Sequence, residues 1–417
     1  MMKIIKIICS GLLFISSISA AGGSVYSRYG LGDVYFGTNA RISVMGGLGI
    51  SLSDKNYINN LNPAGWNRID FTRIESGISF STNKLMDESN KSVYNDFNFS
   101  GFSISLPLQR DYGITLAGGM TPVTNVQYNI TTNVTEGDEN YNLTYKGSGG
   151  LSKLFLGLSY RHATDISFGA SFEFYTGKNE YTSGIYFQNS SQNYNSEYVT
   201  TCNFKGIGWN FGIISNDLSK LIDQQFISDF RIGLTYNYVG KLDTDILNLS
   251  NTIVYSSILG DTTSSGRYDT NIPESIGTGL SFTLDKNYLF TFDYLTQVWG
   301  NFKFAGNEAI GLKNLQKIGI GFEYNRHASQ FDSFWEQMLF RCGLSFENTQ
   351  YRINGNDIKQ IVAGGGFSMP MGAQSYLDFG FQYGRRGTAS SGLLKEDFFK
   401  ADISFSFGDL WFVRTER

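Results

Sequence analysis

From residue 399 to 412 the chain reads F-K-A-D-I-S-F-S-F-G-D-L-W-F. Phe399, Ala401, Ile403, Phe405 and Phe407 fall on one face of an extended strand, and Lys400, Asp402, Ser404, Ser406 and Gly408 on the other. Strict period-two alternation makes a strand with one apolar and one polar face. In a bacterial outer-membrane barrel the apolar face meets lipid, the polar face meets the lumen, and aromatic residues gather at the interface. The stretch ends on the pair Trp411 and Phe412. Phe405, Phe407, Trp411 and Phe412 are therefore read together as a barrel-assembly signal, a terminal aromatic strand addressed to the outer-membrane barrel assembly machinery. The alternative is an edge strand of a soluble sandwich.

Composition separates the two readings. The 417 residues include 48 Gly, 34 Phe, 25 Tyr and 5 Pro, with aromatics at 15% and charged residues at 17%. An average soluble domain carries about 25% charged residues. Mean hydropathy is only −0.18, which excludes a helical membrane protein. Aromatic richness with modest hydropathy fits strands that show one face to lipid and the other to water. The net charge of −4 leaves no basic surplus to displace counterions from phosphates, so nucleic acid is excluded as a partner.

The N-terminus reads as a secretion signal over residues 1–21. Lys3 and Lys6 form a basic region, residues 7–18 are apolar, and Ser19-Ala20-Ala21 offers small residues for cleavage after Ala20 or Ala21. The apolar run is shorter than the roughly 20 residues a spanning helix needs. Cys9 leaves with the signal. Cys202 and Cys342, on separate expected strands, are read as unpaired.

Alternation recurs along the chain. Ile166, Phe168, Ala170, Phe172 and Phe174 alternate with Ser167, Gly169, Ser171 and Glu173; Phe230, Ile232, Leu234, Tyr236 and Tyr238 alternate with Arg231, Gly233, Thr235 and Asn237. About fourteen such strands are expected, near 68–81, 95–107, 111–122, 150–161, 164–176, 203–215, 228–240, 272–284, 287–298, 315–325, 337–348, 359–369, 374–384 and 398–410. Each is close to the 9–11 residues of a tilted transmembrane strand. The gaps between them alternate in length. Polar gaps such as 82–94, 123–149, 177–202 and 241–271 are read as long outer loops, and gaps such as 108–110 and 162–163 as periplasmic turns. Two turns are longer, 216–227 and 326–336, and the first has the pattern of a short amphipathic helix.

The expectation is an all-β fold: a transmembrane antiparallel β-barrel of about 14 strands over 68–412, with 413–417 as a periplasmic tail. About eight strands already close a barrel that side chains can fill, so fourteen need an open pore or a plug. Residues 22–67 hold no alternating run long enough to span a bilayer, and they carry Val44, Met45, Leu48, Ile50, Leu52, Ile58 and Leu61. That is too apolar for a disordered tail. This segment is read as an N-terminal hatch or plug inside the lumen. Gly46, Gly47 and Gly49 suit positive φ and close backbone approach. Asn62 and Pro63 suit a rigid turn, so Asn62-Pro63-Ala64-Gly65 is read as a structural lock of the hatch.

The run A-R-I-S-V-M-G-G-L-G-I-S-L-S-D at 40–54, followed by N-N-L-N-P-A-G-W at 59–66, resembles the hatch of the FadL/TodX family of outer-membrane transporters. The shared elements are Ala40-Arg41, Met45-Gly46-Gly47-Leu48-Gly49, Asp54 and Asn62-Pro63-Ala64-Gly65. The opening S-V-Y-S-R-Y-G-L-G-D at 24–33 resembles divergent Bacteroidetes members, among whose related folds are PorV-like secretion accessories. The resemblance implies a fourteen-stranded barrel with an N-terminal plug. It implies diffusive uptake of a hydrophobic small-molecule ligand such as a long-chain fatty acid, by plug rearrangement or a lateral wall opening. Met45, Leu48, Ile50 and Trp66 are ligand-binding candidates by their place in the plug. The alternative is a non-transporting barrel serving as an interaction scaffold for protein secretion or lipopolysaccharide handling. Membrane lipids and lipopolysaccharide are expected partners in either case, in the bacterial outer membrane.

Chemistry of other kinds has little support. His162 and His327 fall at expected turns with no metal-ligand spacing near them, so no cofactor, metal or catalytic role is expected. G-x-G patterns such as Gly206-Ile207-Gly208 lie within strands rather than before helices. The lumen-side charges Arg73, Glu75, Arg231, Asp293, Glu323, Arg341 and Asp378 are read as solvated or paired inside the barrel, or as a polar ligand path.

Terminal strand and hatch are expected to fail differently. Trp411→Ala with Phe412→Ala should reduce membrane insertion, seen as loss of the heat-modifiable band on gels. Asn62→Ala should leave that band intact, because ladder hydrogen bonds do not depend on it.

Overall fold

On the strand Ser167–Gln188, Ser167, Ser171, Glu173, Tyr175 and Asn179 are exposed by 3% or less, while Phe168, Phe172 and Phe174 are 37–43% exposed. A soluble sheet buries its aromatics and exposes its serines and carboxylates. Here the order is inverted, as a lipid-facing wall with a polar interior requires. The same inversion holds for Phe405 and Phe407 against Ser404 and Ser406. The computed structural model describes residues 23–410 apart from 89–90, 138, 189–192, 222–225, 255–256, 310, 328, 330, 373 and 391. The expected signal at 1–21, and Trp411 and Phe412, lie outside the described residues.

Fourteen strands make the wall. They are β1 (Thr72–Met86), β2 (Lys91–Gln109), β3 (Ile114–Glu136), β4 (Glu139–Arg161), β5 (Ser167–Gln188) and β6 (Asn195–Ile214). Two strands are interrupted: β7 (Ile227–Val239, continued by Lys241–Val254) and β8 (Ser257–Asn271, continued by Ser275–Leu284). Then come β9 (Tyr288–Gln297), β10 (Leu315–Tyr324), β11 (Leu339–Ile353), β12 (Asn356–Gly372), β13 (Ser375–Gly387) and β14 (Lys395–Asp409). All neighbours are antiparallel. β14 pairs with β1 from Lys395↔Met86 to Asp409↔Thr72, so the sheet closes on itself. Each alternating window found in the sequence corresponds to one of these strands, although the first starts at Thr72. Arg68 instead ends the short 3-10 helix Pro63–Arg68.

The expected long loops at 82–94, 123–149, 177–202 and 241–271 are instead mostly ladder. β3 and β4 stay paired out to Glu136↔Glu139, and a 23-residue strand spans roughly 75 Å at 3.3 Å per residue. Only about 9–11 residues are needed to cross the membrane. Beyond it water meets both faces and the apolar face thins. Val126, Tyr128, Ile130 and Val134 still alternate with Gln127, Asn129, Thr131 and Asn133, but the Asn and Thr content gives the stretch the look of a polar loop, and Thr, Tyr and Val supply β propensity. The outer halves of β3 to β8 form one projecting sheet, with β3 at one edge and β8 at the other. At the opposite end the connections are turns. Of the helical pattern expected at 216–227, the described residues show a 3-10 turn, Leu218–Leu221, and residues 222–225 lie outside them.

One seam of the wall is short. β2 and β3 pair only from Gln109↔Ile114 to Phe102↔Met120. Gly101 follows on the hairpin side with φ +118°, and a Cβ there would lie 2.8 Å from the Met120 carbonyl oxygen. Beyond it, residues 91–99 of β2 pair with β1 alone. Into the gap comes a two-residue strand from the N-terminal segment, Asp33–Val34, pairing with Asn125 and Thr124 of β3. Gly101→Val is expected to strain the backbone and push the strands apart, costing about 1–3 kcal/mol for a residue forced into a disfavoured region. A lower temperature for conversion of the heat-modifiable band would register it.

Candidate functional site

Residues of the 23–71 segment pack against inward-facing side chains and glycines of the wall. Asn39 caps the one-turn helix Ala40–Val44, its Oδ1 accepting from Ile42 N at 2.9 Å. A helix this short has no stability of its own, so its shape comes from the wall. The turn after it runs through Gly46, Gly47 and Gly49 at φ +82°, +80° and +73°. It lies against a patch of wall glycines on β10 to β13. A Cβ on Gly46 would meet Ile320 N at 2.7 Å, and one on Gly343 would meet the Val44 carbonyl oxygen at 2.5 Å. Side chains on either surface would hold the backbones apart.

The Asn-Pro-Ala-Gly element closes the segment on itself and on the wall. Asn62 Oδ1 accepts from Ala64 N at 3.0 Å, and Nδ2 donates to Ile50 O at 2.8 Å and to Leu234 O of β7 at 3.1 Å. Asn59 Nδ2 donates to Gly49 O and Leu52 O, and Trp66 Nε1 donates to Asn59 O at 2.7 Å. Gly65 and Ala64 are packed beneath this knot: a Cβ on Gly65 would lie 2.6 Å from Leu52 O, and Ala64 is fully buried.

Charge pairing then ties the segment to the wall at three levels. At mid-lumen, Arg41 makes a two-pronged contact with Glu323 of β10 (2.8 and 3.1 Å) and reaches Asp54 at 3.0 Å. Glu323 also accepts from Arg341 at 2.5 Å, and Arg341 continues to Asp378 at 3.1 Å and to the Tyr57 hydroxyl at 3.0 Å. Tyr57 donates to Asp378 at 2.8 Å, and the Arg41 guanidinium lies 4.5 Å from the centre of its ring. Close by, Asp293 accepts from Gly49 N and Ile50 N, both at 2.9 Å, and Glu75 from Ile58 N at 2.8 Å. Arg73 holds Ser406, Asn56 and the Lys55 carbonyl. Toward the hairpins, Arg386 pairs with Asp33 at 2.8 Å, and Glu396 accepts from Ser24 and Val25 N. At the turn end, Arg68 and Arg231 share Asp229 (2.6 and 2.7 Å).

The structure thus brings Arg73, Glu75, Arg231, Asp293, Glu323, Arg341 and Asp378 into contact with the segment or its immediate partners, all at most 4% exposed. Met45, Leu48, Ile50 and Trp66 are 0–2% exposed and meet protein. Leu48 and Ile50 join a cluster with Leu151, Tyr175, Phe204 and Leu295. Trp66 stacks on Phe155 at 6.2 Å, and Met45 seats against Gly321. Of the cavities beside the segment, one of about 80 Å³ is largely apolar, with Val34, Phe36, Leu61, Val123, Tyr175 and Leu295 in its lining, and two larger ones carry many polar side chains. One of about 180 Å³ on the hairpin side includes Ser79, Asp96, Asn98, Gln127, Lys317 and Glu347. One of about 650 Å³ at the turn end includes Asp54, Arg68, Arg161, Asp229, Arg231 and Glu323. Among the described residues no His, Cys, Asp and Glu group has metal-site geometry. Cys202 and Cys342 are free.

Sequence reading missed Tyr57 and the role of Arg41. Arg41 stands in the quoted motif beside the glycine cluster, and that adjacency was the available signal. Glu323→Ala leaves two buried guanidinium groups without their shared carboxylate, and breaking a buried pair costs about 3–5 kcal/mol. The barrel ladder is expected to survive while residues 23–71 become open to limited proteolysis, with fragments identified by mass.

Several solved structures share this architecture. The chain is similar to the Ralstonia pickettii toluene transporter TbuX, at 15% identity and a TM-score of 0.59, over 89% of this chain and 98% of that one. It is similar to the P. putida toluene transporter TodX, at 15% identity and 0.56, over 91% and 100%. It is also similar to a Pseudomonas aeruginosa FadL homologue, at 11% identity and 0.57, over 91% and 98%. The likeness is one of fold. No curated protein matches the sequence significantly. The family model described as BamG matches residues 1–416, and the chain belongs to the BamG family.

Proposed function

We propose that this chain is a bacterial outer-membrane barrel that acts as a docking component of the barrel assembly machinery, with its lumen held shut. The observation that carries this reading is the ion-pair chain Asp54–Arg41–Glu323–Arg341–Asp378, which fastens the N-terminal segment to β10, β11 and β13. A gate that opens must leave those charges unpaired or resolvated, and each buried one costs several kcal/mol to strand. The two larger cavities, rich in charged and amide side chains, suit water better than an apolar solute, since ligand pockets for hydrophobic compounds are mostly apolar; the apolar cavity of about 80 Å³ speaks for the second reading below. The family's name points toward assembly machinery. Sealing moves the working surfaces to the rims, where the projecting hairpins stand outside the membrane and the turns face the periplasm. The outward Phe and Leu residues then meet lipid, with lipopolysaccharide around the outer rim.

A second reading is uptake of hydrophobic small molecules, such as long-chain fatty acids, through hatch movement or a lateral opening. The fold shared with toluene transporters and the short β2–β3 seam favour it. Met45, Leu48, Ile50 and Trp66 would then be exposed only after the segment shifts.

The two readings part in one pair of measurements. With docking, tagged protein from its own outer membrane is expected to recover barrel assembly components at fixed ratio, and cells lacking it to take up labelled oleate at the normal rate. Recovery of the barrel alone, together with oleate uptake lost on deletion and restored by the gene, would reverse the order of preference.

A further inference from the structure

We infer that the open side of β3 over residues 129–135 is a strand-addition site for one extended segment of a partner protein. This deepens the docking reading above and rests on it.

Beyond Met120, β3 has β4 on one side and no wall strand on the other. The chain's own N-terminal segment uses the first part of that open side. Asp33 and Val34 pair with Asn125 and Thr124, Tyr35 N donates to Val123 O at 2.9 Å, and Gln127 N donates to Ser27 Oγ at 3.1 Å. The edge therefore already accepts an extended backbone where one is within reach. Beyond Gln127 no described residue of the segment pairs with β3. Alternation of the antiparallel ladder sends the N–H and C=O of Asn129, Thr131, Asn133 and Thr135 to the same open side. The β4 register is unbroken from Thr124↔Leu151 to Glu136↔Glu139. The edge is thus held straight before anything binds, which lowers the ordering cost of binding.

The far edge of the same projecting sheet shows how this chain guards an edge. The outer half of β8 has a register shift between Thr262 and Ser264 and carries Asp261, Arg267 and Asp269. Arg267 pairs with Asp245, and Asp269 with Lys241. Bulges and charges are the usual means of preventing edge pairing. Residues 129–135 read N-I-T-T-N-V-T, with no charge, no proline and no bulge. Ile130, Thr131, Thr132, Val134 and Thr135 are strong strand formers. A water-facing edge of this kind is a pairing hazard if left empty. Donors and acceptors repeating at strand spacing match an extended polypeptide, as in β-augmentation. A lipid headgroup offers no such repeat.

Thr131→Pro with Asn133→Pro deletes two open-side N–H groups and spares the β4 ladder, since edge strands tolerate proline whose nitrogen faces outward. Thr131→Lys with Asn133→Lys guards the edge without touching the backbone. The experiment places a photo-crosslinking residue at Asn129 or Thr135 of the full-length protein in its own outer membrane and sequences the crosslinked peptides. It then compares amide exchange of residues 129–135 in the purified complex and in the isolated barrel. Both positions are expected to join the same segment of one other protein, in consistent strand register. Exchange should slow by about tenfold or more in the complex, as for a newly paired strand, and both signals should vanish in the proline or the lysine pair. Crosslinks only to lipid, only to a second copy of this chain, or to scattered sites would overturn the inference. So would crosslinks unchanged in both variant pairs. Assembly components that still copurify while the crosslink fails would sink this site and leave the docking reading intact. A register-matched crosslink without those components would do the reverse.

Discussion

Glu323 is held between two arginines that belong to different parts of the chain. Arg341 is its neighbour across the β10–β11 ladder, while Arg41 arrives from the N-terminal segment, 282 residues away in sequence. Burying an ion is expensive, and the attraction repays it only when geometry is good and remaining hydrogen-bonding capacity is met. Here both carboxylate oxygens accept from Arg41, Arg341 runs on to Asp378, and Tyr57 bridges them. A set of buried charges this specific in direction has few alternative arrangements. It fixes where the one-turn helix sits, and so where the glycine turn meets the glycine patch of the wall.

The fourteen strands could be read from alternation because each crosses a slab with lipid on one side and a wet, polar interior on the other. The same physics hid the outer ladders. Once β3 to β8 leave the slab the apolar face thins, and although Val126, Tyr128, Ile130 and Val134 keep period two, the Asn and Thr between and beyond them read as a polar loop. Alternation also could not say which face pointed inward. That came only from Ser167 and Glu173 being buried beside exposed Phe168 and Phe172. Of the interior, residue types were legible and partners were not. Arg73, Glu75, Glu323 and Arg341 announced themselves as lumen charges by lying on the polar face of lipid-crossing strands. Their contacts with Lys55, Ile58, Arg41 and Tyr57 depend on how the segment folds within the enclosure, which no local pattern records.

Fold and filling pull the functional reading in different directions. The wall shares its fold with proteins described as toluene transporters, and one of its own seams stops short. The filling is built from reciprocal polar contacts rather than from a loose apolar throat. Where wall and filling disagree, the filling is nearer the chemistry, because a solute would have to displace it. Function is then sought on surfaces that the segment does not reach, along the outer hairpins and at the turn-end rim.

The course of the segment has a consequence for how the molecule is made. Ser24 bonds Glu396 across 372 residues of chain, and Ser43 bonds Asp402 across 359, yet the segment runs directly into the first strand. The strand that receives those bonds, β14, is the last to be synthesised and the one that seals against β1. The closing seam and the last contacts of the segment thus depend on the same strand: a chain stopped short of β14 is left with an open sheet and with Ser24 and Ser43 lacking their carboxylates.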